Sequence, residues 1–525
     1  MAGDRYIVVA VPISSGEMYL DEAMERGYKP LALFLELGLE TDRLIEHFAD
    51  ILKDRAEVLT MPNDPDLIAE KLSQYDIVAV VAGGEPGVRI ADQIASRLGL
   101  KGNNPDTTYL RCNKEGMFEA LKKAGIRTIE STIITTKDDI TSFWKNNDLS
   151  KAVLKYCESG ASVGVHVCLC LDDCYKALDE MIVGKDYLGR TGGDIIMQEY
   201  IEGIDCIVNT VSCDGRHKAS EIWVDLKRPN SPIYCREKTI PYSPGMSKEL
   251  VDYTLKVLDA VDFRYGVCHT ELKYDSKGPI LMETNPRPHG TGMKRGFLKE
   301  IFGNCMVDMG LDSLLDEEAF HNYPDVPEIR AVGMNCLLAF FEGGLSSLLP
   351  MKKLYERLPE FRGFTMGDPG IRERPKTIDL QTCPAIIRFV SDDSRIDEIC
   401  DYAMTIDKDY SELHYRCRIL DDCNLEYDPG TTALIYDDSG PHMSDGSDVV
   451  DPSVGVLLTR KGTMLEDRYE ALFYLLDHVT KRGKVIVPEK EIEILPYGNK
   501  CLEIIAGLNR IEYEYTSGND FVFLL

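Results

Sequence analysis

The sequence lacks three common signatures of bound metal or nucleotide. Its 525 residues include 16 Cys but no CxxC pair, the spacing that indicates a structural zinc site. The first 105 or so residues contain no GxGxxG dinucleotide fingerprint, and no GK[ST] triplet of a Walker P-loop precedes a helix. We therefore expect the cysteines to be reduced and to serve as small core residues, and any nucleotide to be held in another way.

Long apolar runs and positive charge are also scarce. The N-terminal apolar run, YIVVAV, follows an acidic residue and predicts a first strand rather than a signal peptide. No stretch reaches the roughly 18 apolar residues that a membrane span needs. The formal net charge of −29 would repel a phosphate backbone. We expect a cytoplasmic protein with no membrane or nucleic-acid partner, although a local cluster of Lys and Arg can still hold a nucleotide.

The patterns along the chain predict a mixed α/β and α+β protein with several parts. Alternating strands and helices over 1–106 predict a parallel, doubly wound, Rossmann-like domain. An amphipathic helix and β-rich segments follow in a second domain at 107–326, and 327–436 predicts a smaller α+β unit. The polar stretch 437–453, broken by Gly and Pro, predicts an acidic linker before a small α+β appendage at 454–525.

The segment VCHTELKYDSKGPILMETN predicts a β-hairpin with two carboxylates on one face. In a register centred on Lys277, Glu271 faces Glu283 and His269 faces Asn285. Opposed carboxylates are destabilising unless something positive lies between them. Two Glu and one Asn carbonyl oxygen are ligands that Mg²⁺ accepts while it keeps waters and substrate phosphates. A solvated hairpin face with splayed charges is the alternative for this segment alone.

Two upstream segments favour a phosphate site. AVLKYCESGASVGV places Lys155 on a strand before a loop rich in Gly and Ser, whose backbone N–H groups can approach phosphate oxygens. IIMQEYIEGIDCIV is a strand, a short connector and a strand, with Asp205 placed to accept from sugar hydroxyls. An ordinary hairpin loop and an ordinary interstrand connection are the respective alternatives.

Taken in order, these pieces resemble the ATP-grasp superfamily over roughly residues 1 to 430: a lysine before a helix, the strand lysine with its glycine loop, QEYIEGID, and paired Glu with NPR. The resemblance implies an ATP-grasp fold with a lid subdomain at about 130–200, and ATP with Mg²⁺ or Mn²⁺ as cofactors. It assigns to the nucleotide Lys114, Lys155, Ser159, Gly160, Ser162, Gly164, Gln198, Glu199, Tyr200, Ile201 and Asp205. It assigns to the metal Glu271, Glu283 and Asn285.

Within the superfamily, GVCHTELKYDSKGPILMETNPRPHG and the region after it resemble the L-amino acid α-ligases, which make dipeptides. This implies small-molecule carboxylate and amine substrates, amino acids among them, joined through an acyl phosphate with release of ADP and phosphate. The catalytic residues would be Glu283, Arg287 and His269. Arg287 would hold the acyl phosphate and the oxyanion of the tetrahedral intermediate. His269 would orient a substrate carboxylate, with a packing role as an equal alternative.

Three positions depart from the pattern of the family. Asp205 stands where Glu is usual, Tyr156 where Pro is common, and His289 where a small residue is frequent. A ligase for a non-amino-acid, peptide or protein substrate and a non-catalytic nucleotide-binding protein remain alternatives, and the appendage could serve a partner or seal a homodimer. Further candidates to line the acceptor pocket are Glu85, Trp223 and Lys227.

Overall fold

The computed structural model describes residues 4–337 with gaps at 38–47, 50, 161, 187–190 and 228–233. Beyond residue 337 it describes the short stretches 344–345, 358–366, 373–374, 377, 382–383, 385–391, 395–399, 434–437, 440–443, 454–457, 472, 475–476, 479, 484–487, 502–503, 506, 511–516 and 521–525. The side chain of Lys227 lies outside the described residues. The chain divides into two units, residues 1–334 with 379–381, and residues 335–378 with 382–525.

A four-stranded parallel sheet opens the first unit, as the alternating strands and helices predict. Its strands are β1 (Arg5–Ala10), β2 (Lys29–Glu36), β3 (Glu57–Pro62) and β4 (Asp76–Ala82), in the order β3-β2-β1-β4. The helices α1 (Met18–Glu25), α2 (Pro65–Leu72) and α3 (Val88–Arg97) accompany it. The interior of β2 is buried at every position, which is typical of a parallel sheet covered on both faces.

A second, antiparallel sheet of four strands follows within the segment predicted as the lid. Two helices, α4 (Tyr109–Cys112) and α5 (Lys114–Lys123), precede it. The strands are β5 (Ser131–Ile134), β6 (Ala152–Tyr156), β7 (His166–Cys168) and β8 (Ile195–Glu199), in the order β5-β8-β6-β7. Helices α6 (Lys137–Asn146) and α7 (Leu171–Val183) pack on it and close a small core.

A larger antiparallel sheet provides the floor of the site. Its neighbouring strands β13-β12-β9-β10-β11 comprise β9 (Ile204–Cys213), β10 (Arg216–Lys227), β11 (Tyr234–Thr239), β12 (Gly266–Asp275) and β13 (Gly278–Asn285). Helix α8 (Met246–Ala260) buries its apolar side against this sheet. The elements that follow are α9 (Arg295–Phe302), α10 (Met306–Leu315), α11 (Glu317–Asn322) and β14 (Val332–Leu337).

The predicted pairing of the two hairpin carboxylates is confirmed, since Glu271 lies directly opposite Glu283. The turn differs from the prediction. Asp275 pairs with Gly278, so the turn has two central residues and is not centred on Lys277. The register shifts by one residue between the turn and the carboxylates, and this bulge restores the predicted pairing at the site.

The second unit is described mainly through strands. These are β15 (Gly344–Leu345), β16 (Phe361–Met366), β17 (Glu373–Arg374), β18 (Ala385–Ser391), β19 (Leu434–Asp437), β20 (Gly440–Met443), β21 (Val454–Leu457), β22 (Lys484–Val487), β23 (Glu512–Tyr515) and β24 (Phe521–Leu524). Strands β19 to β24 share a sheet in the order β20-β19-β21-β22-β24-β23. Part of the segment predicted as a linker is therefore a strand, because β20 pairs with β19 in antiparallel register. Within the described residues, no helix combines the length and apolar character needed to cross a membrane.

Replacing Leu258 by Ala is expected to destabilise the first unit strongly. Leu258 lies on α8, is 0% exposed and belongs to the core beneath the larger sheet. Loss of its methyl groups leaves a cavity and should cost about 2–5 kcal/mol in the free energy of unfolding. Leu67→Ala is the matched control, because Leu67 is 47% exposed on α2, and it should change stability by only about 0.5 kcal/mol. Urea titration of both variants compares them; equal losses would contradict the packing described.

Candidate active site

A cavity of about 510 Å³ in the first unit brings together most of the predicted site residues. Those that line it are Lys114, Lys155, Ser159, Gly160, Ser162, Gln198, Glu199, Tyr200, Ile201, Asp205, His269, Glu271, Glu283 and Arg287. Gly164 and Asn285 do not line it, and neither do Glu85 and Trp223, two of the further candidates for the acceptor pocket. Gly164 has a φ of +69°, and a Cβ there would come within 2.5 Å of the Tyr156 ring, so this glycine is required by the backbone. Asn285 is 1% exposed.

Lys114 is buried at the start of α5 and faces the hairpin carboxylates. Asn113 caps the helix by accepting from the backbone N–H of Glu115 at 3.0 Å. The Lys114 ammonium lies 2.7 Å from Glu283 Oε2 and donates to the carbonyl oxygen of Ser159 at 3.3 Å. Burial lowers the pKa of Lys114, but the nearby carboxylates, Glu283 foremost, outweigh it, so the pKa is raised overall. The lysine is therefore a fixed positive charge between the hairpin and the glycine loop.

Asn285, Glu85 and Arg287 surround the other side of Glu283. In the orientation that satisfies its amide, Asn285 donates through its nitrogen to Glu283 Oε1 at 2.8 Å and to Glu85 Oε2 at 3.2 Å. Arg287 Nε lies 3.4 Å from Glu85 Oε2. Burial raises the pKa of Glu85, and the guanidinium of Arg287 opposes this rise. The arrangement gives Asn285 a role in holding Glu283; its predicted role as a metal ligand stays a prediction.

Two lysines and an amide also line the cavity. Lys155 projects from β6 beside the glycine loop. Asp205, at the start of β9, lies 3.0 Å from the ammonium of Lys273. Gln198 is 2% exposed and lines the cavity, and within the described part of the chain its Nε2 has no hydrogen-bond partner. A buried amide N–H₂ left without a partner is costly, so this part of the cavity is suited to a ligand that supplies an acceptor.

Comparisons with known proteins identify relatives in sequence and in structure. No protein-family model matches the chain. It is 25% identical over 258 residues to dapdiamide A synthase from Enterobacter agglomerans, which covers 49% of this chain and 61% of the relative. It is 22% identical over 282 residues to alanine–anticapsin ligase from Bacillus subtilis (strain 168), covering 50% of this chain and 58% of the relative. The chain thus spans about three fifths of the length of these two relatives.

The solved structures extend the similarity over most of the chain. The L-amino acid ligase from Bacillus licheniformis superposes with a TM-score of 0.59 and 15% identity, covering 77% of this chain and 98% of that protein. At this level of identity the similarity shows a shared fold. The predicted ATP-grasp fold, with its α/β and α+β parts, is thereby confirmed.

The cavity is also bordered by a histidine cluster that the sequence did not predict as a unit. The rings of His269 and His289 stack with centroids 4.4 Å apart. Asn209 joins them, because its Oδ1 accepts from His269 Nδ1 at 2.9 Å and its Nδ2 lies 3.2 Å from His289 Nδ1. His289 Nε2 lies 2.8 Å from Glu237. Burial, with help from His289, lowers the pKa of His269 to about 4, so His269 is neutral near pH 7.

The carboxylate oxygens in the cavity are suitable ligands for a hard dication, although they are few. Within the described residues, no three His, Cys, Asp or Glu side chains are grouped as a metal cage. Two carboxylates, Glu271 and Glu283, face each other across the hairpin and both line the cavity. Mg²⁺ is typically bound by one or two carboxylates, with waters and substrate phosphates as its other ligands. The residues present therefore fit Mg²⁺ bound together with a nucleotide better than Mg²⁺ held by protein alone.

The loop after Arg287 is fastened by the first domain. Ser15 is 1% exposed; its hydroxyl donates to the carbonyl oxygen of Gly290 at 2.8 Å and accepts from the N–H of Met293 at 2.7 Å. The sequence does not reveal this link, because Ser15 and its partners lie far apart in the chain. Ser15 thereby helps to fix the backbone that carries Arg287.

Replacing Ser15 by Ala is expected to cost about 1–3 kcal/mol of unfolding free energy, since a buried N–H and a carbonyl each lose their partner. Ser73→Ala is the matched control, because its hydroxyl donates to Glu70 O at 2.7 Å but is exposed, and it should change stability by only about 0.5 kcal/mol. Urea denaturation measures both. A loss for Ser15→Ala no larger than for Ser73→Ala would show that the link does not hold the loop.

Proposed function

We propose that the chain is an ATP- and Mg²⁺-dependent carboxylate–amine ligase that forms an amide bond between amino acids or related small molecules. The observation that carries the proposal is that one cavity is lined by Glu271, Glu283 and Arg287 and by most of the predicted nucleotide residues. Nucleotide binding alone does not require a guanidinium beside paired carboxylates. The names of the two curated relatives, a synthase and an alanine–anticapsin ligase, support the same class of reaction.

The nucleotide would lie along the cavity from the lid toward the hairpin. Gln198 and the backbone of 198–201 would contact adenine, with the Gln198 amide N–H₂ available as a donor. Asp205 would accept from the ribose hydroxyls. The triphosphate would lie between Lys114 and Lys155, beside the backbone N–H groups of the glycine loop.

Glu271 and Glu283 would hold Mg²⁺, with Asn285 as the predicted third ligand, and the bound ion would neutralise charge that develops on the transferring phosphoryl group. The substrate carboxylate oxygen would attack the γ-phosphorus as the bond to ADP breaks, giving an acyl phosphate. The amine would then attack the acyl carbon and lose a proton, and phosphate would leave. Arg287 lines the same cavity and would stabilise the acyl phosphate and the oxyanion of the tetrahedral intermediate.

His269 would position the substrate rather than exchange protons. Its pKa of about 4 keeps it neutral near pH 7, and its Nδ1–H is committed to Asn209. The remaining ring nitrogen, Nε2, lies 3.3 Å from Glu271 Oε1. The imidazole is thus placed to orient a substrate group beside the reacting centre.

The test is release of ADP and phosphate from ATP and Mg²⁺, with the purified protein offered the twenty amino acids singly and in pairs. We expect ADP release that requires a pair, together with a new mass equal to the two amino acids minus water. ADP release without a new amide would indicate a different amine acceptor. Tight ATP binding with no release in any pool would overturn the proposed amino-acid ligation and favour a larger substrate or a non-catalytic role.

A further inference from the structure

Both oxygens of Glu283 are engaged by groups of the protein itself. Asn285 donates to Oε1 at 2.8 Å, and the ammonium of Lys114 lies 2.7 Å from Oε2. The side chains of Lys114 and Glu283 are only 6% and 17% exposed, so solvent does little to screen the pair. A dication that used Glu283 would have to displace the ammonium or share the carboxylate with it, at the cost of repulsion between two cations.

Lys114 also touches the part of the site that would bind phosphate. Its ammonium donates to the carbonyl of Ser159, at the first residue of the glycine loop, at 3.3 Å. The same ammonium therefore lies between the carboxylate predicted for the metal and the loop predicted for the phosphates. A lysine is a compact charge on a flexible stem, so it can move between two anionic partners without a change of backbone.

From this geometry we propose that Lys114 is a resident cation at the metal carboxylate, which makes binding of the divalent metal depend on the nucleotide. Before nucleotide binds, Lys114 neutralises Glu283 and opposes the dication. Nucleotide phosphates offer the ammonium a second anionic partner and release Glu283 to the metal. Metal and nucleotide then raise each other's affinity, because coupling between two sites is reciprocal. The inference rests on the proposed metal site but not on the identity of the ligated substrates.

Binding of Mn²⁺, followed by electron paramagnetic resonance and calorimetry on the full chain, tests this inference. Wild type is expected to bind Mn²⁺ weakly alone and at least about 10-fold more tightly with saturating ADP, within the usual range of coupling between sites. Lys114→Met should bind Mn²⁺ alone at least about 10-fold more tightly than wild type, and its further gain with ADP should be smaller than that of wild type, since only coordination by the phosphates remains to couple the two. Lys114→Arg keeps the charge and should resemble wild type.

Lys273→Met is the matched control for a general change in the field of the cavity. Lys273 lines the same cavity but pairs with Asp205, at 3.0 Å. This variant should keep the wild-type affinity for Mn²⁺ without nucleotide. Adding Glu283→Gln to Lys114→Met should abolish the gain, which would show that the metal uses the released carboxylate.

Two outcomes would overturn the inference: Lys114→Met binding Mn²⁺ no more tightly than wild type, or Lys273→Met showing an equal gain. Should Lys114→Met fail to fold, Lys114→Gln in the same assay carries the comparison. Mn²⁺ binding is measured without substrates, so failure here is distinct from failure to form an amide. If the protein forms an amide but ADP does not change its affinity for Mn²⁺, the proposed ligase activity stands and the proposed role of Lys114 is wrong.

Discussion

Replacing Glu283 by Gln is expected to abolish turnover, lowering kcat by at least about 10³-fold, since a bound metal supplies several kcal/mol and each 1.4 kcal/mol is tenfold. Glu283 lies opposite Glu271 and is contacted by both Lys114 and Asn285. Gln keeps the shape of the side chain but removes the negative charge that a dication requires. The metal would therefore lose an anionic ligand, and the transferring phosphoryl group would lose the dication that neutralises its developing charge.

The measurement is ADP release under the substrate pair that supports wild-type turnover. Thermal unfolding and circular dichroism of the same preparation should show an intact fold. Glu119→Gln, a change on the exposed face of α5, is the charge-matched control and should retain wild-type kcat. Unchanged turnover in Glu283→Gln would remove the metal site from the proposal.

The hairpin shows how far local sequence can predict a site. Alternating residues on both sides of DSKG were sufficient to predict that Glu271 faces Glu283, and the structure has this pairing. The prediction succeeded although the turn has a different centre, because a bulge in the hairpin compensates for the shorter turn. A turn sequence flanked by alternating residues thus predicts which side chains share a face of the hairpin. It predicts the geometry of the turn less well.

Contacts between elements that lie far apart in the chain could not be predicted from local sequence patterns. The pairing of Asp205 with Lys273 depends on β9 lying beside β12, with these two residues in register. Neither strand order nor register across separate hairpins follows from local pattern. Lys114 was predicted to bind phosphate, yet its contact with Glu283 arises from the packing of α5 against β13, which no periodicity encodes.

The histidine cluster contains a buried polar residue whose partners are hard to predict from sequence. Asn209 lies on the largely buried strand IDCIVNTVSC, directly after Ile207 and Val208, and it is 0% exposed. A buried amide needs partners, so this residue could have been recognised as part of a polar network. Its partners, His269 and His289, were singled out separately, but only the fold shows that Asn209 joins them.

Replacing Arg287 is expected to have the second large effect on catalysis, and its kinetic signature should differ from that of Glu283→Gln. Arg287 lines the cavity and lies beside Glu85. Loss of one group that stabilises a developing oxyanion typically costs about 10²–10³ in kcat. We expect Arg287→Ala to show a loss of this size with little change in the KM for ATP. Lys lacks the planar fork that matches phosphate and carboxylate, so Arg287→Lys should recover only part of the activity.

Hydroxylamine trapping of the acyl phosphate locates the step that Arg287 serves. We expect Arg287→Ala to lower the yield of amide more than the yield of trapped acyl hydroxamate, since the tetrahedral oxyanion forms only after phosphoryl transfer. A structural role predicts otherwise: both yields would fall together with stability, because Glu85 would lose its guanidinium neighbour at 3.4 Å. Glu85→Gln in the Arg287→Ala chain separates these effects. If the double variant regains stability but still forms little amide, Arg287 acts in catalysis. If it regains both stability and amide formation, the role of Arg287 is structural.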